Sequence, residues 1–342
     1  MTANISEENF RILDEYYQQP FQEHDETALS WPSIFVLPVW LKTWWNTFGD
    51  DYELFIRSVH QEGQVLGIAP LMLNKKGDEA YLIGSPDVCD YLDFITIQDN
   101  ELEQRFFGQL ILHLREAGVK RMVLSAQRPD SAIFRGLIAA DANNNLHLKE
   151  YDLQIDMVRE DQSFELKLAS DWDSYLAGLK KKQRHEVRRK LRRLEDEGGS
   201  YSFRVIEQPR EIEEFYPEFI ELFKQNPEKA DFFNEQMSSY FKSLLANTAE
   251  DGLVRFGLLE LEGKTVAAVL YFDYDNCIYL YNSGYNSDYH NLSAGLLSKA
   301  LAIKHSVEQG KKTFDFLKGE EVYKSRLGGK GIPIYKVIIK IK

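Results

Sequence analysis

The residues whose types could do chemistry are densest between Thr313 and Gly329, which read T-F-D-F-L-K-G-E-E-V-Y-K-S-R-L-G-G. Phe314, Phe316 and Leu317 make an apolar strand, with Asp315 set between them. At Gly319 the strand breaks into a run that mixes Lys318, Glu320, Glu321, Tyr323, Lys324 and Arg326. Carboxylates accept protons, ammonium and guanidinium groups neutralise anions, and a phenol can donate a proton. A strand that ends in such a cluster is a common way to build a site on a rigid scaffold. The same charges could also pair with one another on a solvated loop.

Two further clusters stand out. Asp90 and Asp93 are three residues apart, at the entrance to a strand that starts near Leu92. Paired carboxylates there could bind a cation or an amine, or they could cap a turn. Between Lys180 and Arg193, nine basic residues face one acid, Glu186, a local sum of +8 in a chain of net charge -13. Arg184 and Arg188 lie within this run. Leu176, Leu179, Val187, Leu191 and Leu194 keep a narrow apolar stripe through it, so the run sits on one or two amphipathic helices with a basic outer face. Such a face could cradle a phosphate-bearing substrate or an anionic polymer, or simply be solvated.

The elements around these clusters follow from periodicity. Pro38 suits a first helical turn, and Trp40, Leu41, Trp44, Trp45 and Phe48 recur at helical spacing on one core face. Glu53–His60, Val65–Leu73 and Tyr81–Ile83 form a meander of hairpins, with Glu62-Gly63 and Gly77 as turns. Helices are expected over Glu101–Ala117 and Ser131–Ala140, a strand over Val119–Leu124, and a polar loop at Asp141–Asn145. Leu153–Met157 and Phe164–Leu168 are strand candidates, and Ser170 opens a helix as its N-cap. Gly198-Gly199 stops the basic run. A strand at Tyr201–Ile206 and helices at Glu211–Lys224 and Asn234–Leu245 come next. A second meander spans Leu253–Leu261, Thr265–Phe272 and Cys277–Ser283, followed by a helix to Glu308 and strands at Lys312–Leu317 and Ile334–Ile341. The order of elements repeats, which makes an α+β chain of two similar halves, divided as 1–150 and 151–342.

Composition bounds the rest. At 342 residues the chain is long for one core, and 44% hydrophobic content supports two. Disorder is expected to stop within the first dozen or so residues. The net acidity argues against a general nucleic-acid or membrane-surface binder, and no helix-turn-helix or zinc spacing points to DNA. No apolar run reaches the roughly 20 residues a bilayer span needs. The first ten residues lack the basic start and apolar core of a signal peptide. Cys89 and Cys277 make neither a disulfide framework nor a metal site. A cytoplasmic, reduced, metal-free protein is the expectation.

Six segments in order carry a resemblance. They are W-L-K-T-W-W-N-T-F-G, V-L-G-I-A-P-L-M-L, D-Y-L-D-F, R-H-E-V-R-R-K-L-R-R-L-E-D-E-G-G, S-A-G-L-L-S-K-A-L and F-D-F-L-K-G-E-E-V-Y-K-S-R-L-G. Together, from about Trp40 to Arg326, they resemble the CelD/BcsL-type acetyltransferase-like proteins of the GNAT superfamily, which are related to the Fem peptidoglycan aminoacyltransferases. The resemblance implies two tandem GNAT-like domains, each a mixed, largely antiparallel sheet flanked by helices, with a substrate site near their junction. It implies transfer of an acyl group, from acetyl-CoA or another acyl-CoA, to an amine or hydroxyl of a sugar, polysaccharide precursor or other small metabolite.

A GNAT-type site needs a helix N-terminus whose N–H groups hold the donor's pyrophosphate. The matching stretch is His290 to Leu296, which assigns Asn291, Ser293, Ala294, Gly295 and Leu296 to the donor. The superfamily pattern starts with Arg or Gln and has two glycine-like positions. Here His290 stands first, Ser293 replaces one glycine, and only Gly295 remains. Tyr323 then becomes the acid for the leaving group, and Asp315 or Glu320 orients the nucleophile or acts as base. Lys318, Lys324 and Arg326, with Arg184, Arg188, Asp90 and Asp93, are the substrate contacts. Two alternatives stay open. One is a Fem-like transferase that takes its group from aminoacyl-tRNA, using the basic helix. The other is a non-catalytic double-GNAT protein in polysaccharide biosynthesis.

Overall fold

The computed structural model describes residues 4–17, 28–139, 153–197, 199–225, 232 and 234–342. The loop expected at Asp141–Asn145, the end of the helix at Ala140, and Gly198 lie outside the described residues. The chain forms two compact units. One is 1–161 with 333–342, and the other is 162–332. Residues 333–342, expected to close the second half, thus belong to the first.

The first unit begins with β1 (Asn4–Glu8) and α1 (Phe10–Tyr17), followed by the short β2 (Leu29–Ser30). β1 pairs antiparallel along its whole length with a later strand, Ile5 facing Val59. Composition predicts disorder in these first residues, but edge pairing runs through the backbone and needs no apolar alternation. α2 (Pro38–Phe48) has Pro38 at its first turn and buries Trp40, Leu41 and Trp44, the core face its spacing predicted. The meander is β3 (Tyr52–Gln61), β4 (Gln64–Asn74) and β5 (Glu79–Leu82), with β6 (Ile95–Ile97) against β4. α3 (Asn100–Glu116) starts at an Asp99 cap that accepts from the N–H groups of Glu101 and Leu102. β7 (Arg121–Gln127) returns parallel to β5. The helix expected from Ser131 is a π-helix over Ile133–Ile138, with buried Gly136 against Glu103 and Phe107 of α3.

β8 (Leu153–Lys167) is one strand where two were expected, and it leads into the second unit. α4 (Trp172–Gly178) is capped by Asp171, whose Oδ1 accepts from Ser174 N–H at 2.8 Å. The cap therefore sits one residue after the expected Ser170. Leu179 is extended, which separates α4 from the basic helix α5 (Lys181–Glu197). β9 (Tyr201–Ile206), α6 (Pro209–Lys224), α7 (Glu235–Glu250), β10 (Val254–Leu261), β11 (Lys264–Tyr274) and β12 (Cys277–Tyr285) follow. α8 (Ala294–Glu308) then leads to β13 (Thr313–Lys318), α9 (Val322–Arg326) and β14 (Lys330–Ile341).

Each unit is a mixed sheet flanked by helices, and the two share a plan. An antiparallel meander leads through a helix to a parallel strand: β5, α3, β7 in the first, and β12, α8, β13 in the second. The strand antiparallel to that last one is exchanged along the sequence. β14 pairs with β7, and β8 pairs with β13. The apolar run of the last strand was legible, but its partner was not, because strand partners are chosen by long-range packing.

β12 lies hard against α6. A Cβ at Gly284 would sit 2.5 Å from the Phe223 nitrogen and 2.6 Å from the Leu222 carbonyl carbon. Backbone cannot rotate aside as a side chain can. Gly284→Ala is therefore expected to destabilise the protein by about 3 kcal/mol, read as a lower urea midpoint at unchanged slope. A midpoint equal to wild type would mean that α6 is not held where it lies.

Candidate active site

In the second unit β12 and β13 pair over only three positions: Cys277 with Thr313, Ile278 with Phe314, and Tyr279 with Asp315. β12 continues to Tyr285 and β13 to Lys318, so the two strands part beyond Tyr279. The register of β13 against β8 shifts between Asp315 and Leu317, and Leu317 has φ +62°. A non-glycine residue in that region carries strain unless its surroundings hold it. Asp315 holds it: its Oδ1 accepts the Leu317 N–H at 2.8 Å, and the residue is 1% exposed.

Lys324 has a comparable role. It is 2% exposed, and its ammonium donates to the carbonyls of Leu317 at 3.2 Å and Lys318 at 2.5 Å. It also pairs with Glu321 at 2.9 Å. The stretch expected as a loop thus contains α9, stapled by Lys324 to the end of β13. Asp315 and Lys324 were expected as base and anion contact. Both are committed to backbone groups inside the fold. Glu320 and Arg326 are exposed and Lys318 is half-buried. Tyr323 is half-buried, its ring edge-on to Phe316 at 6.2 Å. Burial, with Glu321 adding, pushes its phenol above the usual tyrosine range.

The start of α8 is unusual. Ser293 would ordinarily be an extended N-cap whose hydroxyl accepts a first-turn N–H. Here it is left-handed, at φ 59° and ψ 34°, and its side chain makes no capping bond. Its carbonyl accepts the N–H groups of Leu296 and Leu297, each at 3.0 Å. The N–H groups of Ala294 and Gly295 precede those first intrahelical bonds. Ser293 Oγ instead accepts from the ammonium of Lys190 on α5. Gly295 is required for a packing reason as well: a Cβ there would lie 2.7 Å from the Tyr285 ring. Asn291 is exposed, Ala294 buried and Leu296 half-buried.

α5 reaches this point because its apolar stripe docks there. Leu194 is buried in a cluster with Leu297 and Leu301 of α8, and Leu191 packs against that cluster. Lys190 lies three residues after buried Val187 and four before buried Leu194, so it shares the inward face. That spacing could have singled it out from the charge run. On the outward face Lys181, Lys182, Arg188, Arg189 and Arg192 are exposed. Arg189 pairs with Glu186 at 3.0 Å, and Arg188 comes within 4.0 Å of Asp173. Arg184 donates to the Ala177 carbonyl at 3.0 Å, tying the start of α5 to α4.

Asp90 and Asp93 belong to the first unit. Asp93 is buried and accepts the N–H groups of Phe94 at 2.8 Å and Ala132 at 3.0 Å. That is the turn-capping use of a carboxylate, one of the two uses its place at the strand entrance allows. Asp90 is half-buried. Among the described residues, no cluster of His, Cys, Asp and Glu could hold a metal ion, and no helix is long and apolar enough to cross a membrane. Neither Cys89 nor Cys277 is in a disulfide.

Lys299 was missed at the sequence level. It lies on α8, is 8% exposed, and donates to the Gly295 carbonyl at 2.8 Å. Its ammonium stands 5.0 Å from the centre of the Tyr323 ring. It joins the start of α8 to α9, the two segments singled out separately in the sequence.

The acetyltransferase (GNAT) domain family matches residues 181–325, which include α5, the α8 start and Tyr323. No curated protein sequence matches the chain. Among solved structures, FemX superposes over 99% of this chain and 97% of its own, with a TM-score of 0.62 and 12% identity. A conserved protein of unknown function from Bacteroides thetaiotaomicron covers 100% of both chains, with a TM-score of 0.56 and 14% identity. L-PGS from Bacillus licheniformis covers 98% of this chain and 93% of its own, at 0.54 and 13%. Identities this low show likeness of fold alone. The segment 181–325 thus has a GNAT-type acyltransferase fold.

Proposed function

We propose that the protein is an acyltransferase of the CelD/BcsL type that takes its acyl group from an acyl-CoA and transfers it to an amine or hydroxyl of a small acceptor such as a sugar or polysaccharide precursor. The observation that carries this reading is the α8 start. Ser293 leaves the first turn without a side-chain cap, and the Lys190 ammonium lies on it. Free N–H groups, the positive end of the helix dipole and a fixed cation together favour a pyrophosphate. The residues that would hold it are Ser293, Ala294, Gly295 and Lys190.

An acyl-CoA supplies an activated carbonyl with a thiolate leaving group. The Tyr323 hydroxyl, kept protonated by burial, is our candidate for the proton that a departing thiolate needs. Glu320, exposed just after β13, is the remaining candidate to orient or deprotonate the acceptor, and half-buried Lys318 and exposed Arg326 are the candidate anion contacts. Lys190→Met should weaken acetyl-CoA binding about tenfold in calorimetry, the scale of one charged hydrogen bond. A wild-type protein that binds no acyl-CoA would rule the reading out.

A second reading has its own support. The outward basic face of α5 and the fold shared with FemX and L-PGS favour an aminoacyl donor carried on tRNA. Filter binding of tRNA at two salt concentrations separates the two readings, since a phosphate-tracking face loses affinity steeply with salt.

A further inference from the structure

We propose that Lys299 is a positioning residue of this site, holding the Tyr323 ring in register with the first turn of α8. The inference rests on the acyl-transfer reading and adds a residue that neither the charge run nor the helix-start motif contains.

The geometry is that of a buried cation held by a helix carbonyl and an aromatic ring. Lys299 is 8% exposed on a helix that also buries Leu297, Ala300, Leu301 and Ile303. A lysine in such surroundings needs compensation for its lost hydration. One part comes from the Gly295 carbonyl at 2.8 Å, four residues back on the same helix. Another comes from the face of the Tyr323 ring, whose centre is 5.0 Å from Nζ. That distance lies within the roughly 6 Å over which an ammonium is attracted to an aromatic face. Gly295 is itself fixed from the other side by the Tyr285 ring, which leaves no room for a Cβ. The ammonium therefore connects a fixed helix turn to a tyrosine on the five-residue helix α9.

The connection has a chemical consequence. A cation over the ring face is attracted more strongly as the phenol gives up its proton, because negative charge then develops on the ring system. Lys299 thus both aims the Tyr323 hydroxyl and favours its proton donation, without touching substrate. A long apolar side chain of similar volume would keep the packing and lose both effects.

The test uses the full-length protein with Lys299→Met, Lys299→Arg and Tyr323→Phe, each confirmed folded by circular dichroism. With acetyl-CoA as donor and glucosamine as probe acceptor, Lys299→Met should lower kcat for thiol release about tenfold. KM for acetyl-CoA should change less than about threefold, and Lys299→Arg should restore most of the rate. In protein labelled with 3-fluorotyrosine, the fluorine line that disappears in Tyr323→Phe should shift in Lys299→Met and return in Lys299→Arg. The proposal is overturned if that line does not move in Lys299→Met, or if Met and Arg variants lose activity equally. It is equally overturned if the loss lies in KM rather than kcat. Failure of the acyl-transfer reading would look different: wild type would not bind acetyl-CoA, and the fluorine comparison would still decide whether Lys299 holds Tyr323.

Discussion

Tyr323→Phe is expected to lower kcat for thiol release from acetyl-CoA by about 100-fold or more while KM changes less than about threefold, the pattern of a group that acts only in the transition state. The substitution removes one oxygen and little else. The ring's edge contact with Phe316 at 6.2 Å and the Lys299 ammonium at 5.0 Å both survive in phenylalanine. Thermal stability should therefore stay close to wild type, and a kinetic loss could not be charged to misfolding. The protonation state fits the role. Burial first, and Glu321 second, push the phenol up, so the acid form persists at neutral pH. A general acid loses function only as pH rises through its own pKa, so no alkaline loss from this group should appear within the ordinary tyrosine range. A Tyr323→Phe variant with kcat within twofold of wild type would remove Tyr323 from the mechanism and leave proton donation to another group or to water.

Much of this site was legible as segments and little of it as contacts. The aromatic face of α2, both meanders and the α8 helix follow from periodicity, because burial of one face is a local pattern. The parallel pairing of β12 with β13 stops at Asp315, and just beyond it the register of β13 against β8 shifts at Leu317, whose positive φ no leucine advertises. The charge cluster at 313–329 was visible, yet its members could not be sorted. Asp315 and Lys324 look as reactive as Glu320 and Arg326 in sequence, and only the fold shows that the first two bind backbone. In sequence, Ser293 stands only as the replacement for one glycine of the donor motif. Its left-handed backbone, with the hydroxyl turned to Lys190, is a tertiary effect of α5 docking on α8. Lys190 and Lys299 were missed for one reason: a lysine on an apolar face is ordinarily read as a stem that reaches water. Here both ammonium groups find partners inside the second unit instead.

The largest pH effect on stability is expected from Asp93, in the first unit. Its carboxyl is raised from 3.8 to about 7, by burial above all. The N–H groups of Phe94 and Ala132 and the Arg135 guanidinium oppose the shift, and Asp130 adds to it. Arg135 cannot neutralise Asp93 fully, because it is engaged with buried Glu103, at 3.1 Å from Nε to each oxygen. Between the unfolded and folded values the native state holds the extra proton. Stability is then fully present below the unfolded pKa and falls as pH rises toward the folded one, by about 1.4 kcal/mol per pH unit. Asp93→Asn removes that dependence. Oδ1 accepts both backbone N–H groups, at 2.8 and 3.0 Å, and the contact of Ala132 N–H with Oδ2 is the longer one at 3.3 Å, so an amide oxygen can take the place of Oδ1. The gap between variant and wild type should widen in the variant's favour by about 2 kcal/mol or more from pH 5 to pH 8. Urea unfolding followed by tryptophan fluorescence reads this unit, since Trp31, Trp40, Trp44 and Trp45 lie in it and only Trp172 in the other. If the difference between variant and wild type stayed constant from pH 5 to pH 8, Asp93 would be ionised throughout, and its burial would have to be compensated by Arg135 after all.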